Sequence, residues 1–192
     1  MENRNKKLMS LVECALFLAA AVALDYFKLL EMPLGGSIKF VMIPLVLVSF
    51  RQGPKWGVGT SVAYVIIALI LGRQDLMYAG NAGAIVLAAF ADYILAYGVI
   101  GLASYFAKFF KNRTVGVAMG TFIVCFIRFI GHFISGATIW GSYMPEEWEK
   151  KGVILYSIVY NGAYMLPITI ITVVVMVVLY KAAPKLFVSE TM

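Results

Sequence analysis

The chain has 192 residues, of which 62% are hydrophobic and only 14% charged, with a formal net charge of +6; its mean hydropathy is +0.88. A soluble domain carries roughly 45–50% apolar and about 25% charged residues, and a chain this short cannot bury such an excess in a core of its own. Lipid must cover the remainder, which excludes a soluble globular domain and leaves one compact membrane bundle.

A membrane-crossing helix needs about 20 mainly apolar residues. In chain order the runs that approach this are Leu8–Leu30, Ile38–Phe50, Lys55–Leu71, Gly83–Phe110, Val115–Trp140 and Val153–Tyr180. The first follows a basic stretch, Met1–Lys7, as a signal peptide would. It is too long for a signal h-region and shows no clear cleavage site, so it reads as a retained first helix. Within it Ala15, Ala19 and Ala23 recur every fourth residue, a small-residue stripe that lets helices approach closely in lipid. The stripe suits either packing inside the bundle or a groove for another membrane protein. The second run is short and contains Pro44, so it reads as a tilted or partial helix packed against its neighbours. Gly57-Val-Gly59 lacks the rest of a dinucleotide fingerprint, and helix packing explains it. Cys14 and Cys125 fall inside apolar runs without metal-site spacing and read as buried free thiols. The expected architecture is all-α: an integral membrane bundle of six transmembrane helices, the second of them short.

The connectors carry an orientation signal. Ten Lys and Arg residues fall at the N-terminus, at Arg51-Gln-Gly-Pro-Lys55, between Lys108 and Arg113, and at Lys181 and Lys185; five fall in the intervening loops. Excess Lys and Arg marks the cytoplasmic side, so both termini are expected inside a cell membrane crossed several times.

No G-x-x-x-x-G-K-[ST] loop is present to cradle nucleotide phosphates on backbone N–H groups, so the chain is not expected to hydrolyse ATP by itself. HExxH and G-x-S-x-G are also missing. The single histidine cannot supply a His-rich metal site. The chain therefore does not read as an enzyme, and it implies no cofactor.

Ionisable and polar groups inside a membrane helix are expensive and mark function by default. Asp92, Arg128, His132 and Asn161 are four such positions on three helices, which invites one shared polar site. Arg128, His132, Gly136 and Trp140 recur every four residues and form one slowly drifting stripe. Glycine at the third position leaves room for a flat group between imidazole and indole. Such a set suits a planar, cationic or heteroaromatic ligand, with Asp92 as counter-charge. Equally, Arg128 pairs with Asp92 and His132 is a satisfied core histidine. Tyr156 and Asn161 are five apart, roughly 140° around a regular helix. They share a face only if the helix is irregular or the ligand wraps around it; as structural residues, Tyr156 is an interfacial aromatic and Asn161 bonds a neighbouring helix.

The segment Arg128-x3-His132-Phe-Ile-Ser-Gly136-Ala-Thr-Ile-Trp140-Gly-Ser-Tyr143, followed by Tyr156-Ser-Ile-Val-Tyr-Asn161-Gly162, resembles the thiamine-specific S component of energy-coupling factor transporters. The resemblance extends over nearly the whole chain, including Ile43-Pro44 and Ser49-Phe-Arg51-x-Gly53. It implies that residues 1–192 form a single transmembrane substrate-binding domain that takes thiamine from outside. It further implies partnership with a transmembrane coupling subunit and two cytoplasmic ATPases, and a ligand site built from Asp92, Tyr93, His132, Gly136, Trp140, Tyr156 and Asn161. The stripe of Ala15 and Ala19 resembles the family's docking motif for the coupling subunit. Two positions depart from the pattern. The acidic residue is usually Glu, whereas Asp92 is one methylene shorter; the first outer loop often carries a Trp, where this chain has Gly35-Gly36. A related heteroaromatic such as hydroxymethylpyrimidine, and a stand-alone proton-coupled transporter using Asp92, are the competing readings.

Overall fold

The computed structural model describes residues 2–188. Its main elements are α1 (Glu2–Tyr26), α2 (Met42–Leu71), a short α3 (Arg73–Met77), α4 (Ala82–Ala107), α5 (Arg113–Thr138) and α6 (Val153–Ala182). An antiparallel hairpin of β1 (Lys28–Glu31) and β2 (Ser37–Lys39) joins α1 to α2, with Leu30 opposite Ile38 and Glu31 opposite Ser37. Among the described residues five helices are long and apolar enough to cross a membrane: α1, α2, α4, α5 and α6. Their outward faces carry Leu16, Ile66, Val86, Phe126, Leu166 and Val174, all exposed, as lipid-facing helices require.

The expected second and third runs fall within one element, α2, which leaves helical geometry at Gly53 (φ 80, ψ 171). A positive φ favours glycine, and Pro54 follows it, where a missing N–H costs nothing at the start of a helical arm. The chain doubles back there. A Cβ on Gly57 would lie 2.8 Å from the Ser49 Cα, whereas eight residues of straight helix span about 12 Å. Gly57 also meets Gly101 of α4, whose carbonyl oxygen would lie 2.5 Å from that Cβ; Ser49 Oγ donates to the same carbonyl at 2.6 Å. Helix packing thus accounts for Gly57, while Gly59 faces open space.

One end of the bundle is tied by Arg51, beside this reversal. Its Nε and Nη2 donate to the two Glu13 carboxylate oxygens of α1 at 2.6 Å each, and Gln52 Nε2 donates to the same carboxylate. Arg51 Nη1 donates to the carbonyls of Lys185 and Val188 at 3.0 and 3.1 Å. A single guanidinium therefore gathers α1, the reversal and the C-terminal segment. The alanine stripe does not pack inside the bundle: Ala15, Ala19 and Ala23 are all exposed, while Cys14 and Ala21 face inward. Cys14 and Cys125 are buried free thiols.

Candidate functional site

At the end of the bundle opposite Arg51, a cavity of about 660 Å³ opens between the hairpin and α2 to α6, within the size range of small-molecule sites. Asp92, Tyr93, His132, Gly136, Trp140, Tyr156 and Asn161 all line it.

Local irregularity in α4 builds the acidic wall. The stretch Ala89–Leu95 is wound as a π-helix, a form that appears mostly as short bulges, frequently at functional sites. At this point α4 and α5 approach closely, because a Cβ on Gly131 would lie 2.7 Å from the Ala91 carbonyl oxygen. The approach brings the short Asp92 side chain to α5. Its Oδ1 accepts from His132 Nδ1 at 2.8 Å, and its Oδ2 accepts from Ser135 Oγ at 2.5 Å and Trp140 Nε1 at 3.0 Å. Tyr93, the next residue, reaches the other way. Its hydroxyl would lie 2.1 Å from a Cβ on Gly72, so a side chain there would have to push Tyr93 aside.

Arg128 does not pair with Asp92. It is buried at 6% exposure, its Nη2 donates to Tyr97 Oη at 3.1 Å, and its guanidinium carbon lies 3.9 Å from the Tyr97 ring centroid. A cation over an aromatic face gains most when desolvated, which offsets part of the cost of burying this charge. His132 is only half satisfied: Nδ1–H bonds Asp92, whereas Nε2 is buried with no hydrogen-bond partner among the described residues.

Gly136 has a different role from the expected one. A Cβ there would meet Ser157 Oγ at 2.4 Å and Asn161 Nδ2 at 2.8 Å, so the space above it is taken by α6 rather than left for a flat group. Asn161 Nδ2 donates to the Ser157 carbonyl at 2.9 Å and reaches the His132 carbonyl at 3.3 Å; its Oδ1 accepts from Tyr164 Oη at 2.8 Å. Asn161 therefore bonds the neighbouring helix and lines the cavity at once.

Of the tyrosines, sequence reasoning singled out only Tyr93 and Tyr156 for the site. Eight of the eleven line the cavity, Tyr160 and Tyr164 among them. With Tyr156 they recur every fourth residue along α6, a one-face spacing that makes them legible. Their rings continue a ladder from the surface inward: Trp148 to Tyr156 at 5.5 Å, Tyr156 to Tyr160 at 5.7 Å, Tyr160 to Tyr164 at 6.0 Å, and Tyr164 to His132 at 6.1 Å between centroids. Tyr160 also holds the hairpin loop. Its hydroxyl accepts from Gly36 N–H at 2.9 Å and donates to the Pro33 carbonyl. A Cβ on Gly36 would lie 2.9 Å from both that hydroxyl and the Tyr164 ring, so the loop lies flat on α6 because it has no side chain there. Lys39 Nζ, 2.9 Å from Asp25 Oδ1, ties the hairpin base to α1. No group of three or more His, Cys, Asp or Glu residues is placed to hold a metal ion among the described residues.

The chain is 35% identical to the thiamine transporter ThiT of Bacillus subtilis (strain 168), covering 98% of each. It is 30% identical to the protein of the same name from Lacticaseibacillus paracasei, covering 97% of this chain and 94% of that one. A solved structure of ThiT from Listeria monocytogenes superposes with a TM-score of 0.76 at 27% identity, over 95% of this chain and 99% of that chain. Residues 11–188 match the sequence model of the family described as thiamine transporter protein, Thia_YuaJ, and the chain belongs to that family.

Proposed function

We propose that this chain is the thiamine-binding membrane subunit of an energy-coupling factor importer. It captures thiamine from outside and delivers it with a transmembrane coupling subunit and two cytoplasmic ATPases. The observation that carries the reading is the cavity wall: eight tyrosines, Trp140 and His132 line it together with the carboxylates of Asp25, Asp75 and Asp92. Aromatic faces attract cations and stack on flat rings, which suits thiamine, a cation made of two flat heteroaromatic rings joined by a methylene. Asp92, Tyr93, His132, Gly136, Trp140, Tyr156 and Asn161 form the ligand site, and the loop at Gly35-Gly36 closes over it as a lid. The relatives are named as transporters, in keeping with a chain that performs no chemistry on its ligand.

The two arms of α2, either side of Gly53, count as separate helices, the first of them short, which makes six in one transmembrane domain. An even number returns both termini to one side. Arg51, joining α1 to the C-terminal segment, supports that arrangement, and the excess of Lys and Arg assigns that side to the cytoplasm. The exposed face of Ala15 and Ala19 docks the coupling subunit, since small residues permit close and sliding helix contact.

Titrating thiamine into the purified protein while following tryptophan fluorescence tests the reading. Saturable quenching is expected, with hydroxymethylpyrimidine a weaker competitor. No response to thiamine, or tighter binding of the pyrimidine, would overturn it. Uptake by this chain alone, driven by a pH gradient, would replace the importer with a secondary transporter.

A further inference from the structure

Of the Asp, Lys and Arg side chains that line the cavity, all but one are engaged within the protein. Asp25 pairs with Lys39 at 2.9 Å, and Lys28 pairs with Glu31. Arg128 lies against the ring and hydroxyl of Tyr97, and the Asp92 carboxylate accepts from His132, Ser135 and Trp140. The exception is Asp75, whose carboxylate has no hydrogen bond or ion pair among the described residues. It is exposed and still lines the cavity, which puts it at the mouth. The segment carrying it is pinned. Leu76, the next residue, is buried against Ala88 and Ile139, and Tyr143 Oη donates to the Tyr78 carbonyl at 2.8 Å. Nor does α3 need the carboxylate, since no side chain caps its start. Arg73, two residues earlier, does not line the cavity.

We propose that Asp75 is a capture residue: its free negative charge draws the cationic ligand to the mouth and speeds its entry. It acts on the approach, not on the bound state. A charge at the rim of a cleft raises the local concentration of an oppositely charged ligand and its association rate. The attraction reaches about 10 Å at 0.1 M salt, so it works before any contact forms. A carboxylate already paired with a lysine, as Asp25 is, presents little net charge to a ligand outside. The inference rests on the reading that the ligand is thiamine, whose charge is positive.

The test uses the full chain in detergent, with Asp75→Asn and the charge-reversing Asp75→Lys. Stopped-flow tryptophan fluorescence follows association and release of thiamine and of its neutral thiophene isostere. Salt is set at about 0.01 M and about 1 M, where the screening length is about 30 and about 3 Å. Capture predicts that Asp75→Asn slows thiamine association about 3- to 10-fold at low salt, and that Asp75→Lys slows it further. Both differences close at high salt, while release rates and association of the isostere stay unchanged. In the wild type, salt slows thiamine and not the isostere, which carries the test should a variant fail to fold. Unaltered thiamine association at low salt, equal slowing of the isostere, a difference that survives high salt, or a change confined to release would each overturn the proposal. A wild-type chain that binds neither ligand would overturn the thiamine reading and this inference with it; the other outcomes leave that reading standing.

Discussion

Ala91 and Gly131 meet backbone to side-chain position: a methyl group on Gly131 would lie 2.7 Å from the Ala91 carbonyl oxygen. The contact sits one residue before both Asp92 and His132, so it sets the separation of their side chains. Gly131→Ala is therefore expected to cost about 1–3 kcal/mol of stability through overpacking and to weaken thiamine binding at least ~10-fold. Gly59→Ala is the control, since nothing lies within 4 Å of its Cβ position and alanine favours helix by about 1 kcal/mol. Thermal unfolding and calorimetric titration of the two variants should separate them clearly.

Trp140 carries the largest ring system among the residues lining the cavity. Removing a buried aromatic hot spot costs about 2 kcal/mol or more, so Trp140→Ala should raise the dissociation constant at least ~30-fold. An unchanged constant would remove Trp140 from the site.

Tyr160 fastens the loop with one hydroxyl, accepting from Gly36 and donating to Pro33. Tyr160→Phe keeps the ring and deletes both bonds, each worth about 0.5–1.5 kcal/mol net. Stopped-flow measurement should show thiamine leaving about 10-fold faster. An unaltered off-rate would mean that the loop does not gate release.

The exposed alanines should divide binding from transport. Replacing Ala15 or Ala19 by Trp adds bulk on the outer face of α1, far from the cavity lining. Thiamine affinity of the isolated chain should be unchanged, while uptake by cells carrying the whole importer should be lost. Surviving uptake would sink the docking assignment.

Arg51→Gln removes a guanidinium that bonds Glu13 at two points and the C-terminal segment at two more. Bonds to charged groups are worth about 1.5–3 kcal/mol, and among the described residues Glu13 would keep only its bond from Gln52. A clear fall in unfolding temperature is expected, with thiamine affinity little changed because this node lies at the opposite end from the cavity.

The sequence carried much of this site and misjudged some of it for identifiable reasons. The stripe from Arg128 through His132 to Gly136 was legible because α5 is regular there and its spacing translates directly into a face; Trp140 lies just beyond the helix end, in a separate turn. Asp92 pairing with His132 instead of Arg128 was not, since it depends on a π-helical stretch and a backbone contact, neither of which leaves a periodic signal. The reversal at Gly53 was visible as Arg51-Gln-Gly-Pro-Lys55, and the two runs are the two arms of α2 that meet across that non-helical residue. Gly136 looked like an open slot along its own helix; its neighbours on α6 fill that slot, and one helix read alone cannot show them.

The line of rings from Trp148 to His132 has a kinetic consequence. Stripping water from an organic cation in one step would raise a tall barrier at the mouth of the bundle. With Lys151 seated 4.6 Å from the Trp148 ring, the outermost rung already holds a cation that an arriving one can displace. Each later ring centroid lies about 6 Å from the one before it, so aromatic surface continues without a gap from the rim to His132. Hydration can therefore be surrendered a little at a time, and the climb becomes a staircase.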